Sequence, residues 1–203
     1  MSKHKRIVVN RRVSAVLIAL AVVVVSACGR YRPPLQPELL APDGVLDLLV
    51  QPAANAVSFS WMAADVDRRG KELKSSEGFI VERKELLARG DETDPSVPFD
   101  KIGFLKDRHV EVREKMREEA RAAGKIGRTV KSPPEFTTFR FTDSTPAKGK
   151  TYVYQIVPVN QGGTRGKVDK LVKVVFQGEQ SAVVMLASKE ALDTEATENL
   201  AGS

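Results

Sequence analysis

The sequence predicts a mainly β protein, an antiparallel sandwich with one helical insertion. Three observations predict it. Short segments alternate apolar and polar side chains with a period of two, turn-forming residues separate these segments, and a stretch at residues 106–125 has a helical pattern instead. We expect the sandwich to occupy residues 43–188, with the helical insertion at residues 106–131.

The first 27 residues have the pattern of a secretory signal. Residues 1–12 carry five basic side chains and no acid, and residues 13–25 are almost wholly apolar. This apolar run is shorter than the roughly 20 residues that a membrane-spanning helix needs. A basic segment, a short apolar segment and small residues before a cleavage point are typical of a signal peptide. The pattern therefore predicts that residues 1–27 are removed.

The chain has a single cysteine, Cys28, which follows Val25-Ser26-Ala27. This tetrapeptide resembles the lipobox of bacterial lipoproteins. The resemblance implies that Cys28 receives a thioether diacylglycerol, and that its amine is acylated after cleavage. Two or more such chains hold a protein on a membrane where one does not. A secreted protein with an unmodified cysteine and an uncleaved membrane anchor are the alternatives.

The residue after the cysteine bears on localisation. In bacterial lipoproteins an aspartate at that position favours retention in the inner membrane, and here it is Gly29. The resemblance therefore implies a cell-envelope protein in the outer membrane of a Gram-negative bacterium.

Residues 28–42 contain four prolines and predict an extended linker between the lipid and the domain. Such segments favour polyproline II, which rises about 3.1 Å per residue. Removal of the signal also removes five basic residues, so the formal net charge falls from +6 to about +1. The high isoelectric point of the full chain is therefore not the footprint of a nucleic-acid-binding protein.

The strand segments follow the linker in order. The clearest is Val57-Ser58-Phe59-Ser60-Trp61, in which the apolar side chains share one face and the serines the other. The last two apolar runs are either two strands or one strand with a bulge. Residues 189–203 are polar and predict a disordered tail. The predicted strands are residues 44–50, 57–61, 79–84, 99–105, 137–143, 151–160, 170–176 and 181–187.

The insertion breaks the strand pattern. Good helix formers fill residues 106–125, and Gly124 predicts the end of the helix. Residues 106–131 contain nine basic and five acidic side chains, so the insertion has a net charge of about +4. A narrow apolar stripe at helical spacing is predicted to face the sandwich: Leu105, His109, Val112, Met116, Ala120 and Ala123.

The order of the strand motifs resembles a fibronectin type III domain, which has an immunoglobulin-like sandwich. The resemblance covers residues 40–105 and 136–188, so the insertion is additional, as is part of the long connection at residues 164–177. It implies that Trp61 fills the core and that the hydroxyl of Tyr152 makes a corner hydrogen bond. The motifs are Val57-x-Phe59-x-Trp61, Gly78-Phe79-x-Val81, Phe141-x-Asp143, Gly149-x-Thr151-Tyr152-x-Tyr154-x-Ile156 and Asn160-x-x-Gly163.

We find no pattern of a catalytic or metal site. After the signal only one histidine remains, His109, and its sequence neighbours are basic, which is a poor setting for a general base. Zinc ligands and calcium-loop spacing are missing. Gly162 to Lys167 lacks the order of a phosphate-binding loop. The sequence therefore predicts a protein that is not an enzyme, with no cofactor, metal or small-molecule substrate.

The remaining class is binding. We expect a lipid-anchored adaptor that docks a protein partner near the membrane, or alternatively a glycan- or cell-wall-binding module whose basic insertion contacts an anionic polymer. A solvated helix with no binding role is the third interpretation of the insertion. The candidate partner-binding residues are Arg108, His109, Arg113, Arg117 and Arg121.

Overall fold

The computed structural model describes residues 34–86 and 97–187. The predicted signal at residues 1–27, the lipidation site Cys28 and the predicted tail at residues 189–203 lie outside these ranges. Within the ranges, none of the helices has both the length and the apolar character needed to cross a membrane.

Strands dominate the described part of the chain. There are also two short helical turns: Pro37–Leu40 precedes the first strand, and Gly127–Thr129 follows the long helix. In chain order the strands and helices are β1 (Val45–Ala53), β2 (Ala56–Ala63), β3 (Gly78–Leu86), β4 (Asp100–Lys106), α1 (His109–Ala122), α2 (Pro134–Thr137), β5 (Thr138–Asp143), β6 (Thr151–Val159), β7 (Lys170–Val175) and β8 (Ala182–Ala187).

The strands form two antiparallel sheets, in the orders β1-β2-β5 and β4-β3-β6-β7-β8. This confirms the predicted fold class, a fibronectin type III-like sandwich with a helical insertion. The last two apolar runs are separate strands, since β7 and β8 pair from Lys170 opposite Ala187 to Val175 opposite Ala182. The insertion connects β4, at the edge of the larger sheet, with β5, at the edge of the smaller one.

The core lies between the inner faces of the two sheets. In β2 the side chains alternate strictly between buried and half-buried, as the period-two pattern predicts. Trp61 is 1% exposed, and its ring centroid lies 5.5 Å from that of Phe79 and 6.1 Å from that of Phe139. Fully burying such a side chain contributes about 1.5–3 kcal/mol. The aromatic cluster therefore ties β2, β3 and β5 together.

The structure also places Tyr152 in the core, 3% exposed. Its hydroxyl oxygen accepts a hydrogen bond from the backbone N–H of Ala147 at 3.0 Å, which is the corner bond that the resemblance implies. Two strand positions further on, the hydroxyl of Tyr154 donates to Asp143 Oδ2 at 3.0 Å. Arg83 donates to the same oxygen at 2.6 Å, so one carboxylate on β5 joins two strands of the other sheet.

The insertion differs from its prediction in which side chains it buries. The helix α1 begins at His109, three residues after the predicted start, and Gly124 follows its end with a φ of +71°, the left-handed conformation expected there. Of the predicted stripe, His109 is buried but Ala123 is exposed. The structure buries Val110 and Arg113 instead. An arginine can occupy this face because its stem is apolar and its charged head has partners on the domain.

Candidate functional site

A buried polar cluster, which we call the root, fixes the start of the insertion. It consists of Ser76, which precedes β3, Asp107, which follows β4, and His109, the first residue of α1. Asp107 accepts hydrogen bonds from Ser76 Oγ at 2.5 Å and from the backbone N–H of His109 at 2.9 Å. Its Oδ2 also lies 2.7 Å from His109 Nδ1. One carboxylate thus binds the helix start to the sandwich.

The electrostatics of the root follow from these contacts. Burial by itself raises the pKa of Asp107, but the hydrogen bonds from His109 and Ser76 outweigh it, and the net pKa lies below the ordinary value. Asp107 is therefore ionised at neutral pH. Because an ionised carboxylate only accepts hydrogen bonds, Nδ1 of His109 carries the proton.

The other ring nitrogen of His109 lacks a hydrogen-bond partner. Nε2 is buried and accepts no hydrogen bond from any residue in the described ranges. The carboxylate oxygen Oδ1 of Asp65 lies 3.7 Å from Nε2. A serine nucleophile would have to lie at this nitrogen, whereas Ser76 donates to the carboxylate on the opposite side of the ring. The contacts of the root hold the helix in place.

One and two turns along α1, Arg113 and Arg117 bind the segment between β2 and β3. Arg113 is buried, donates from Nη2 to the carbonyl oxygen of Leu73 at 2.5 Å and donates from Nη1 to Asp65 Oδ1 at 3.1 Å. The Nη2 atom of Arg117 lies 2.5 Å from Oε1 of Glu72. These contacts fix the insertion against the domain along its first three turns.

A small cleft opens beside these arginines. Its volume is about 210 Å³, and we call it the arginine cleft. It lies between α1, the segment before β3 and the chain that follows the helix. The side chains of Arg128 and Lys131 are exposed at its rim. Its lining residues are Asp65, Glu72, Arg113, Arg117, Arg128, Thr129, Val130 and Lys131.

The predicted partner-binding residues fall into two groups. His109 and Arg113 are buried, and their side chains contact the domain itself. Arg108 and Arg121 are exposed, and Arg108 pairs with Glu111 at 3.5 Å. Binding of a partner by these residues stays a prediction.

Arg117 belongs to neither group, because its side chain is mostly buried and also lines the arginine cleft. Sequence reasoning missed the acidic partners Asp65, Glu72 and Asp107. The spacing of Asp107 and His109, two residues apart at the helix start, is the one local signal for the root. The other member of the root, Ser76, lies 31 residues from Asp107 in sequence.

No group of three or more potential metal ligands occurs in the described ranges.

The pair of Glu72 and Arg117 predicts a pH dependence of stability. The hydrogen bond from Arg117 lowers the pKa of Glu72 from 4.5 to about 2 and raises that of Arg117. A lowered carboxyl pKa stabilises the folded state above pH 4.5, and this contribution is lost as the pH falls towards 2. We expect Glu72→Gln to make the free energy of unfolding less dependent on pH in this window, measured by urea unfolding at several pH values.

The matched control is Glu118→Gln, because Glu118 is an exposed carboxylate on α1, the helix that carries Arg117. This variant should follow the wild-type pH profile. A Glu72→Gln profile parallel to the wild type between pH 2 and 4.5 would show that the ion pair does not contribute.

Comparisons with known proteins give structural neighbours only. No family model matches the chain, and no curated protein matches it. Among solved structures, the twitchin kinase region from C. elegans has 14% identity and a TM-score of 0.38. The match covers 74% of this chain and 17% of the twitchin chain. A myokine has 11% identity and a TM-score of 0.35, with 69% of this chain and 100% of that chain covered.

The third fibronectin III domain of the human KIAA0343 protein has 10% identity and a TM-score of 0.34, with 80% of this chain and 94% of that chain covered. The similarity at these TM-scores carries no argument about function. The fold assignment therefore rests on the order and pairing of the strands in the two sheets.

Proposed function

We propose that this protein is a non-enzymatic adaptor of the cell envelope, anchored by lipid at Cys28, whose fibronectin type III-like domain docks a protein partner near the membrane. The fold is consistent with a binding or structural module. The observation that supports docking is the insertion, which the domain fixes in one position while it exposes a basic face.

The contacts of the insertion support this proposal energetically. Burying a charged group costs several kcal/mol unless it is paired, and here Asp107 and Arg113 have partners on the domain. A helix held in this way is preorganised, so that a partner does not have to order it on binding. A basic surface favours an acidic partner and speeds its association. The exposed basic side chains of the insertion are Lys106, Arg108, Lys115, Arg121, Lys125, Arg128 and Lys131.

The N-terminal segment supplies the location in this proposal. Lipidation of Cys28 would hold the chain in the outer membrane of a Gram-negative cell, and the proline-rich segment before Pro37 would separate the domain from the lipid surface. The end of the predicted linker belongs to the domain, since Pro37–Leu40 form a helical turn and Ala41 is fully buried. The same basic face favours a second candidate, a module that binds an anionic glycan or cell-wall polymer. Electrostatic binding to such a polymer weakens strongly with salt.

A crosslinking pull-down from native membranes tests the proposal. We would compare the full-length protein with the double charge reversal Arg108→Glu/Arg121→Glu, which changes two exposed residues of the insertion. The control is Lys148→Glu/Lys170→Glu, which reverses two exposed charges outside the insertion. We expect one defined protein to be captured by the wild type and the control and lost with the insertion variant.

One result would count against docking, and another would count against the insertion as the docking surface. Retention of the wild type on anionic polymer at low salt, with its loss at high salt and no captured protein, would favour the glycan-binding candidate. Capture of the same protein by both variants would move the binding surface away from the exposed face of the helix.

A further inference from the structure

We propose that the arginine cleft is a binding site for a single carboxylate, supplied by an acidic side chain of a partner protein. The inference rests on the proposed docking function and specifies what chemistry the partner presents. None of the residues of the predicted apolar stripe lines this cleft.

The first argument is charge. Four basic side chains and two carboxylates line the cleft. Arg113 and Arg117 pair with Asp65 and Glu72, whereas Arg128 and Lys131 make no hydrogen bond or ion pair within residues 34–86 and 97–187.

A third carboxylate, that of Glu114, lies close to the lining. Arg117 also contacts Glu114 at 2.9 Å, and this carboxylate leaves the group with a net charge of +1. The cleft therefore has a deficit of about one negative charge.

The second argument is an unpaired donor. Nε of Arg113 is buried and donates no hydrogen bond to a residue in the described part of the chain. Its nearest carboxylate oxygens, on Glu72 and Glu114, are at 3.5 and 3.6 Å, beyond good hydrogen-bond distance. A buried donor without an acceptor is costly. Because Nε has almost no accessible surface, an oxygen ligand in the cleft gains this hydrogen bond when the side chains that cover Nε shift to admit it.

The size and charge of the cleft select the ligand. A volume of about 210 Å³ accommodates a side chain but not a folded element. A single carboxylate neutralises the net charge of +1, whereas a doubly charged phosphate leaves a net charge of −1 beside Asp65 and Glu72. Ile126, two residues before Arg128, is 73% exposed and offers an apolar contact beside the rim. The matching ligand is an acidic residue with apolar neighbours.

A peptide titration of the full-length protein in detergent tests this site. The probe is a capped Gly-Leu-Glu-Leu-Gly peptide, and its Gly-Leu-Gln-Leu-Gly counterpart differs by one charge. We expect the glutamate peptide to bind and to shift the NMR signal of the Arg113 Nε–H group. The glutamine peptide should bind roughly tenfold more weakly or not at all, because hydrogen bonds to a charged group are about twice as strong.

Two double variants locate the binding. Arg128→Ala/Lys131→Ala removes the two rim charges and should weaken glutamate-peptide binding roughly tenfold or more. Lys115→Ala/Lys125→Ala removes two exposed charges of the same insertion that do not line the cleft, and it should bind as the wild type does.

Three results would overturn the carboxylate site: equal binding of both peptides, equal loss in both double variants, or binding of phosphatidylglycerol vesicles through Arg128 and Lys131 without binding of the glutamate peptide. The pull-down separates this failure from failure of the docking function. A partner that the Arg128→Ala/Lys131→Ala variant captures as well as the wild type does would refute the cleft alone, whereas absence of any captured protein would refute docking.

Discussion

Replacing Asp107 with alanine is expected to lower the free energy of unfolding by about 3–5 kcal/mol, because it leaves buried polar groups without their shared acceptor. Ser76 Oγ, His109 Nδ1 and the backbone N–H of His109 all bond to this one carboxylate. A domain of this kind has a free energy of unfolding of about 5–15 kcal/mol. Urea unfolding can be followed through the fluorescence of Trp61, the single tryptophan.

Matched variants separate the root from a general effect of lost charge. Glu111→Ala removes an exposed carboxylate one turn away and should change the free energy of unfolding by less than about 0.5 kcal/mol. A double-mutant cycle of Asp107→Ala with His109→Ala should give a coupling energy of at least about 1 kcal/mol, as contacting residues do. Additive effects of the two substitutions would show that Asp107 and His109 do not stabilise the fold through each other.

Much of the sandwich could be predicted because its signals are local. Alternation places Val57, Phe59 and Trp61 on one face from their spacing alone, and the structure buries all three. Turn residues separate the strands for the same local reason. The pairing of β7 with β8 stayed open in the sequence because both runs are apolar and short, so that neither length nor period distinguishes two strands from one bulged strand.

The buried face of the helix could not be predicted in the same way. A stripe chosen by hydrophobicity includes Ala123 and omits Arg113. In the structure Ala123 is exposed and Arg113 is buried. The arginine is buried because Asp65 and the carbonyl of Leu73 lie against it. These partners precede it by 48 and 40 residues, and no spacing rule connects them.

The candidate site illustrates the same limit. The basic character of the insertion was evident from its composition. Composition does not show which of its arginines form ion pairs with acidic residues of the domain. Arg113 and Arg117 bind the domain, and the excess charge remains on Arg128 and Lys131 after the helix. The unpaired Nε of Arg113 is visible only once the surrounding residues have positions.

The core supports the second large prediction, at Trp61. Trp61→Ala is expected to cost about 3–5 kcal/mol, because it removes a buried ring and leaves a cavity among packed neighbours. The indole lies edge-on to Phe79 and nearly parallel to Phe139, so its loss weakens contacts to strands of both sheets. The melting temperature, followed by far-UV circular dichroism, should fall by roughly 10–15 °C.

Trp61→Phe is the informative comparison, because Nε1 of Trp61 is buried and has no hydrogen-bond partner in the described ranges. Phenylalanine keeps an aromatic ring in the cluster and removes this unpaired donor, which partly offsets the lost volume. We expect it to cost about 1–2 kcal/mol, which is less than the cost of alanine. Equal costs for the two variants would mean that the indole N–H contributes to stability, and a cost below about 1 kcal/mol for alanine would mean that the sandwich does not depend on this ring.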